Sequence, residues 1–306
     1  TMIPAPNRKT VRMPASDIPL RDALRYTPVP LAFGTSGRRG KVVDLTQLEV
    51  YTCVRAELDY LAERPRAEGG IRAGDRVYYA HDLRPSSVAF IDDQGGRGEL
   101  AQTVDRALTD AGFVPVNLGA VPTPALTSYA LSQGCASIMV TGSHIPFDRN
   151  GYKTNSAVGE LLKDDESPIG AHVERWRRRL MDQPLSASAF DHDGMFTSGS
   201  SALRPADRAG HDAFIRRYTT CLGASALRGL RVLAYQHSAV GRDLLVELFE
   251  ALGAEVLPFG RSEVFVPVDT EAIDAATLAS IVAQARDTVG SLSGFDAIVS
   301  TDGDSD

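Results

Sequence analysis

Cysteine is scarce: Cys53, Cys135 and Cys221 are the only three in 306 residues, widely spaced and without a CxxC pair. Neither a disulfide framework nor a zinc site is expected; reduced thiols of a cytoplasmic protein are. No apolar run approaches the roughly 18 residues of a membrane helix. The opening TMIPAPNRKTVRMPASDIP lacks the apolar core of a signal peptide. A basic excess is also missing: 32 Lys+Arg stand against 39 Asp+Glu, a formal charge of −7. That balance argues against a nucleic-acid partner but leaves room for an anionic sugar held in a local basic pocket. An apolar content of 43% excludes disorder as the main state. The length suits two domains at roughly 150 residues each.

Prolines, by contrast, crowd the start: Pro4, Pro6, Pro14, Pro19, Pro28 and Pro30. Residues 1–30 read as an arm, with regular structure beginning near Leu31. Helical stripes and short apolar strands then alternate. Leu48, Tyr51, Val54, Leu58 and Leu61 mark a helix, residues 76–80 (RVYYA) a strand, and Leu100, Val104, Ala107 and Ala111 a helix stopped at Gly112. Residues 113–118 read as a strand, 124–133 as a short helix, and 137–141 (SIMVT) as a strand buried on both faces. Ile169, Val173, Trp176 and Leu180 mark a later helix. Residues 183–210, rich in Ser, Ala, Gly and Asp, read as a link. The alternation restarts with strands at 231–236, 255–259 and 295–301 and helices at 242–252 and 271–286. This predicts an α/β architecture. RVYYAHD and VDRALTDAGFVPVNLG are echoed by RVLAYQH and LVELFEALGAEVLPFG. The echo fits a duplicated unit, and equally the general look of βαβ sequences.

Four polar clusters stand at the ends of these elements, where α/β proteins place ligands. Phe33-Gly34-Thr35-Ser36-Gly37-Arg38-Arg39-Gly40 joins a pliable backbone to two hydroxyls and two guanidiniums that can grip phosphate; a plain glycine-rich turn is the bland alternative. His81-Asp82-Leu83-Arg84-Pro85-Ser86-Ser87 offers an Asp–Arg pair to brace a site and two serines to cap a helix. Thr141-Gly142-Ser143-His144-Ile145-Pro146 displays one serine where a buried strand ends, as a nucleophile or a phosphate carrier. A Ser-His-Asp hydrolase would want a GxSxG elbow, which is absent. His144 flanks the serine or simply braces the turn. Lys153, in Asn150-Gly151-Tyr152-Lys153, suits acid/base work or phosphate clamping. Asp302-Gly303-Asp304-Ser305-Asp306 follows an apolar strand and can converge its carboxylates on a hard cation such as Mg²⁺. A phosphate grip, a displayed serine, a lysine and a carboxylate loop together point to phosphoryl transfer.

Across residues 31–306 the sequence resembles the α-D-phosphohexomutase superfamily, in its phosphomannomutase/phosphoglucomutase branch. FGTSGRRG looks like the family's first-domain loop, TGSHIP like its phosphoserine loop (usually TASHNP), NGYK like its N-G-x-K, and DGDSD like the start of its metal loop DGDxDR. The resemblance implies two consecutive α/β domains with mixed sheets sandwiched by helices, at 31–205 and 206–306, the second incomplete. It implies Ser143 as the phosphoserine and, through its phosphate, a ligand of one Mg²⁺ shared with Asp302, Asp304 and Asp306. Arg38 would stabilise the transferring group, Thr35, Ser36 and Gly37 would bind phosphate beside it, Lys153 would be the acid/base, and His144 would flank the serine. The implied reaction moves phosphate between O6 and O1 of glucose or mannose phosphate through a hexose 1,6-bisphosphate. Gly142, Ile145 and Ser305 depart from the commoner Ala, Asn and Gly. Family members have four domains, and this sequence stops at Asp306 inside the metal loop. Domains III and IV are therefore expected in cis or as a separate chain, and the 306 residues alone are expected to be nearly inactive. Two other classes compete: an aspartyl-phosphate phosphotransferase with Asp302 as nucleophile, and a non-catalytic phosphosugar-binding protein.

Overall fold

The computed structural model describes residues 18–34, 37–92, 95–270 and 272–306. Residues 1–17 of the expected arm lie outside them. Ordered structure begins earlier than Leu31: a single helical turn, α1 (Leu20–Ala23), has Leu20 fully buried. Strand β1 (Arg38–Lys41) and helix α2 (Gln47–Glu63) follow, then β2 (Arg76–His81) and the short α3 (Pro85–Val88). A small hairpin, β3 (Phe90–Ile91) with β4 (Arg97–Gly98), leads to α4 (Leu100–Asp110), β5 (Val114–Ala120), α5 (Thr123–Ser132) and β6 (Ala136–Val140). Next come β7 (Arg149–Ser156), β8 (Gly159–Glu160) and α6 (Glu166–Met181). The last part holds α7 (Ala209–Leu222), β9 (Arg231–His237), α8 (Arg242–Ala251), β10 (Glu255–Arg261), α9 (Ala275–Val289) and β11 (Ala297–Val299).

The first sheet is mixed and six-stranded, in the order β1-β7-β6-β2-β5 with β8 on β7. β2 runs parallel to β5 and β6, while β7 lies antiparallel to β6 and β1. The second sheet is parallel, in the order β10-β9-β11. Both therefore put the first strand of a βαβαβ run in the middle, β5-β2-β6 and β10-β9-β11. This is the structural counterpart of the sequence echo.

Helix α2 starts because Thr46 caps it, its side chain accepting from Glu49 N at 3.1 Å. The stripe Leu48, Tyr51, Val54, Leu58 and Leu61 is buried as its spacing requires. It packs with α4 and α6 against one face of the first sheet. Residues 183–210 are not a free link. Phe190 enters this core, stacked on Phe196 at 4.8 Å and edge-on to Tyr51 at 5.5 Å, because three large apolar groups, Phe190, Met195 and Phe196, sit within a polar stretch. Helix α7 is not legible in the sequence; it packs on α5. On the opposite face a second core joins the first sheet to helices α7 and α8. Tyr78, Leu118, Leu126 and Met139 from the first unit meet Phe214, Leu244, Leu248 and Leu252 from the second. Among the described residues no helix is long and apolar enough to cross a membrane.

Candidate active site

The carboxyl ends of β2 and β6 lie side by side, because β2 sends its chain to β5 on one flank and receives β6 on the other. Such a reversal of strand order opens a crevice at the strand ends. Asp82 follows β2 and Thr141 follows β6. The Asp82 carboxylate, 2% exposed, accepts from Thr141 Oγ1 at 2.9 Å, Gly142 N at 3.1 Å, Ser87 Oγ at 2.6 Å and Arg84 N at 3.0 Å. Thr141 Oγ1 in turn accepts from Ser143 N at 2.8 Å. These bonds close the turn. Ser143 takes φ +50°, a left-handed conformation unusual for a residue with a Cβ.

The same reversal in the second sheet places residues 302–306 beyond the end of β11. The loop 238–241 after β9 cradles them: Val240 N donates to Gly303 O at 3.0 Å and Gly241 N to Ser305 Oγ at 3.0 Å. His237 Nε2 bonds the Thr301 carbonyl at 2.9 Å. From the first unit, Thr123 N donates to Asp304 O at 3.0 Å and its hydroxyl to the Asp304 carboxylate. The two strand-end turns thus face one another. Ser143 Oγ donates to Asp302 Oδ2 at 3.0 Å and lies 3.4 Å from His144 Nδ1. Lys153, on β7, donates to Asp304 Oδ2 at 3.3 Å and Asp306 Oδ2 at 2.9 Å.

Asp302, Asp304 and Asp306 each offer a carboxylate oxygen within 4.8 Å of the others. Asp304 Oδ1 is buried and has no hydrogen-bond partner. An orphaned anionic oxygen in an all-oxygen set beside two other carboxylates fits a hard divalent cation. Burial, then the charges of Asp304 and Asp306, push the Asp302 carboxyl up to about 7. Burial opposes the Asp304 charge, but Lys153 and the Thr123 hydroxyl outweigh it and hold that carboxyl below its usual range. Burial also opposes the Lys153 charge; Asp304 and Asp306 overcome it, so Lys153 holds its proton more firmly than usual.

A pH dependence follows. A carboxyl raised to about 7 carries a proton below that pH, and a cation must displace it. Mn²⁺ affinity is expected to rise about tenfold per pH unit up to about 7 and to level off above it, with about one proton released per ion at pH 6. Calorimetry in buffers of different ionisation enthalpy measures both; an affinity flat between pH 5.5 and 7 contradicts it.

Of the residues singled out from the sequence, Ser143, His144, Lys153, Asp302, Asp304 and Asp306 come together. Thr35 and Ser36 lie outside the described residues. Gly37 (φ +74°) sits where a Cβ would be 2.3 Å from Tyr152 O, which lets its loop close on β7. Arg38 is not brought to the cluster. It is buried on the opposite face of the sheet, donating to Glu57 at 2.6 Å and to Leu31 O at 2.7 Å. Burial opposes its charge, but Glu57 outweighs that and keeps it protonated. The reason is strand alternation: Arg38 pairs with Tyr152, whose hydroxyl also reaches Glu57, whereas Arg39 pairs with Gly151 on the face that carries Lys153. Arg39 Nε is buried without a partner. Reading the Arg-Arg pair as a β-strand would have set the two guanidiniums on opposite faces. Thr123 escapes sequence reasoning because a helix-start threonine beside a proline carries no signal beyond capping.

The family profile described as phosphoglucomutase/phosphomannomutase, alpha/beta/alpha domain I, matches residues 30–179. A phosphomannomutase of Sinorhizobium fredii is 41% identical over 276 residues, covering 90% of this chain and 51% of that protein. A phosphomannomutase of Salmonella muenchen is 38% identical over 274 residues, covering 90% and 48%. The fold is similar to that of a putative phosphomannomutase from Thermus thermophilus, with a TM-score of 0.62 at 21% identity, covering 91% of this chain and 56% of that one. A phosphoglucomutase/phosphomannomutase family protein from Burkholderia thailandensis gives 0.58 at 23% identity, covering 89% and 52%. The chain belongs to the phosphohexomutase superfamily, in the phosphomannomutase/phosphoglucomutase branch. It spans about half the length of the curated relatives it matches.

Proposed function

We propose that this chain supplies the phosphoserine and metal-binding part of a phosphohexomutase, an isomerase that moves phosphate between O6 and O1 of glucose or mannose phosphate. The observation that carries the reading is the 3.0 Å contact between Ser143 Oγ and Asp302 Oδ2, which sets a displayed serine against an acidic loop from the other sheet. Asp302, Asp304 and Asp306 would hold Mg²⁺, completed by an oxygen of the Ser143 phosphate. Bound there, the ion offsets negative charge on the transferring group.

In the charging step a hexose 1,6-bisphosphate donates. Ser143 Oγ attacks phosphorus, the Oγ–P bond forms, and the bond from phosphorus to the sugar oxygen breaks. The hydroxyl proton passes to His144 Nδ1, 3.4 Å away. The sugar oxygen takes a proton from Lys153, whose carboxylate partners keep it in the proton-bearing form. The phosphoserine then passes its phosphoryl group to the free hydroxyl of a hexose monophosphate, with Lys153 taking the hydroxyl proton and His144 returning one to Ser143 Oγ; the bisphosphate so formed reorients and recharges the serine with its other phosphate. A cleft of about 350 Å³ lined by Thr123, Thr127, Lys153, Asn155 and Asp306 opens beside the ammonium, wide enough for a sugar edge. Recognition of the sugar and of its non-reacting phosphate would fall to the half of the relatives' length that this chain does not span, and without it turnover by these residues alone would be slow.

Incubation with glucose 1,6-bisphosphate and Mg²⁺, followed by mass mapping, tests the reading. One phosphoryl group on Ser143, absent in Ser143→Ala, is expected. A hydroxylamine-labile phosphate on Asp302 that persists in Ser143→Ala would establish the aspartyl-phosphate mechanism instead. Tight binding without phosphorylation would leave a phosphosugar-binding protein.

A further inference from the structure

Arg84 is 2% exposed, yet it touches neither the acidic loop nor the Ser143 hydroxyl. Its guanidinium is spent on the backbone of the serine turn. Nη2 donates to the Ser143 carbonyl at 2.9 Å and to the Ile145 carbonyl. Nη1 donates to the Pro146 carbonyl at 2.9 Å and the Arg149 carbonyl at 3.0 Å. Asp82, 3.5 Å from Nε, supplies the counter-charge while tying the start of the same turn. A planar fork that gathers four carbonyls is a task for arginine; lysine offers a single point of donation.

Two further observations fit this arrangement. A Cβ at Gly142 would lie 2.4 Å from Arg84 Nε and 2.6 Å from Cζ, so the guanidinium reaches the turn only because residue 142 has no side chain. The outer face of the guanidinium is covered from the second unit. The Phe265 ring, in the segment after β10, stacks 4.2 Å from Arg84 Cζ and meets Phe147 of the turn at 5.6 Å. Phe265 also lies against the acidic loop, its Cε2 being 4.0 Å from where a Gly303 Cβ would stand.

We propose that Arg84 is a positioning residue that holds residues 141–149 in the conformation displaying Ser143, and that Phe265 closes over it so that the turn is set by the docking of the second unit. The proposal rests on the reading of Ser143 as the phosphoryl acceptor. Strain at Ser143 makes such a clamp necessary: a left-handed serine persists only where its surroundings over-determine it.

The test compares wild type with Arg84→Met, Arg84→Lys and Phe265→Leu in single-turnover phosphorylation by glucose 1,6-bisphosphate, with Mn²⁺ affinity measured in parallel. Arg84→Met is expected to slow the transfer about 100-fold at unchanged half-saturating bisphosphate, the cost of a nucleophile displaced by about 1 Å. Arg84→Lys should recover part of that rate. Phe265→Leu keeps every hydrogen bond of Arg84 and should slow transfer about fivefold through loss of the cation–π contact. Mn²⁺ affinity should stay within about threefold throughout, since no carboxylate of the loop bonds Arg84. Wild-type rates in the Arg84 variants overturn the proposal, as does a loss of rate matched by an equal loss of Mn²⁺ affinity. If Arg84→Met does not fold, Phe265→Leu decides. If wild type itself takes up no phosphate, the functional reading fails, and hydrogen exchange then tests the clamp alone. Amides of 143–149 should exchange at least tenfold faster in Arg84→Met while the strands do not; unchanged exchange overturns it.

Discussion

Asp304→Asn is expected to weaken Mg²⁺ binding at least 100-fold, a change larger than the roughly 10- to 100-fold typical of outer-shell losses because a charged ligand itself is removed. Asp304 is fully buried between the two sheets. One of its oxygens is engaged by Lys153 and Thr123, and the other has no partner. Neutralising it takes away a ligand charge and leaves the Lys153 ammonium facing only the more exposed Asp306. Calorimetry with Mg²⁺, alongside circular dichroism to confirm the fold, checks the expectation. An affinity within threefold of wild type would mean that the cation, if bound, does not use the orphaned oxygen.

Asp82→Ala is expected to cost about 4 kcal/mol of stability. The side chain takes hydrogen bonds from Thr141, Gly142, Ser87 and Arg84, and it balances a guanidinium that is 2% exposed. Removing one member of a buried pair leaves the other as an uncompensated charge, which costs more than the pair gained. Asp82→Asn keeps acceptor capacity on one oxygen and should lose less. Urea unfolding of both variants gives the numbers, and a loss below about 1 kcal/mol for the alanine would show that water replaces the carboxylate.

RVYYA, SIMVT and RVLAYQ are legible as strands in the sequence because each is apolar, the pattern of a strand covered on both faces. β7, with the sequence RNGYKTNS, is not, although all but its first residue are buried. Its burial is polar. Tyr152 and Thr154 turn to Glu57, while Lys153 and Asn155 turn to the acidic loop and to Ser137. No hydrophobic period marks such a strand. β1 reads as part of a loop for the same reason, so the sequence does not show that Arg38 and Arg39 point to opposite faces of the sheet. The serine and the acidic residues are legible because their chemistry is local to short motifs. Arg84 stands out in the sequence only as a brace, because its partners lie about sixty residues away along the chain.

The core shared by Tyr78, Leu118, Leu126 and Met139 with Phe214, Leu244, Leu248 and Leu252 has a mechanical meaning. The span from Ser143 to Asp302 crosses between two sheets, and helix α8, which packs on β9 and β10, cannot move from the first sheet without tearing apolar side chains from one another. The reacting gap is therefore gauged by oil-like contacts on the far side of the β-strands, as the jaws of a vice are set by its bed. Thinning that bed, for instance by Leu248→Ala, would widen the gap without touching a polar atom near it. The two sheets should accordingly melt in a single calorimetric transition.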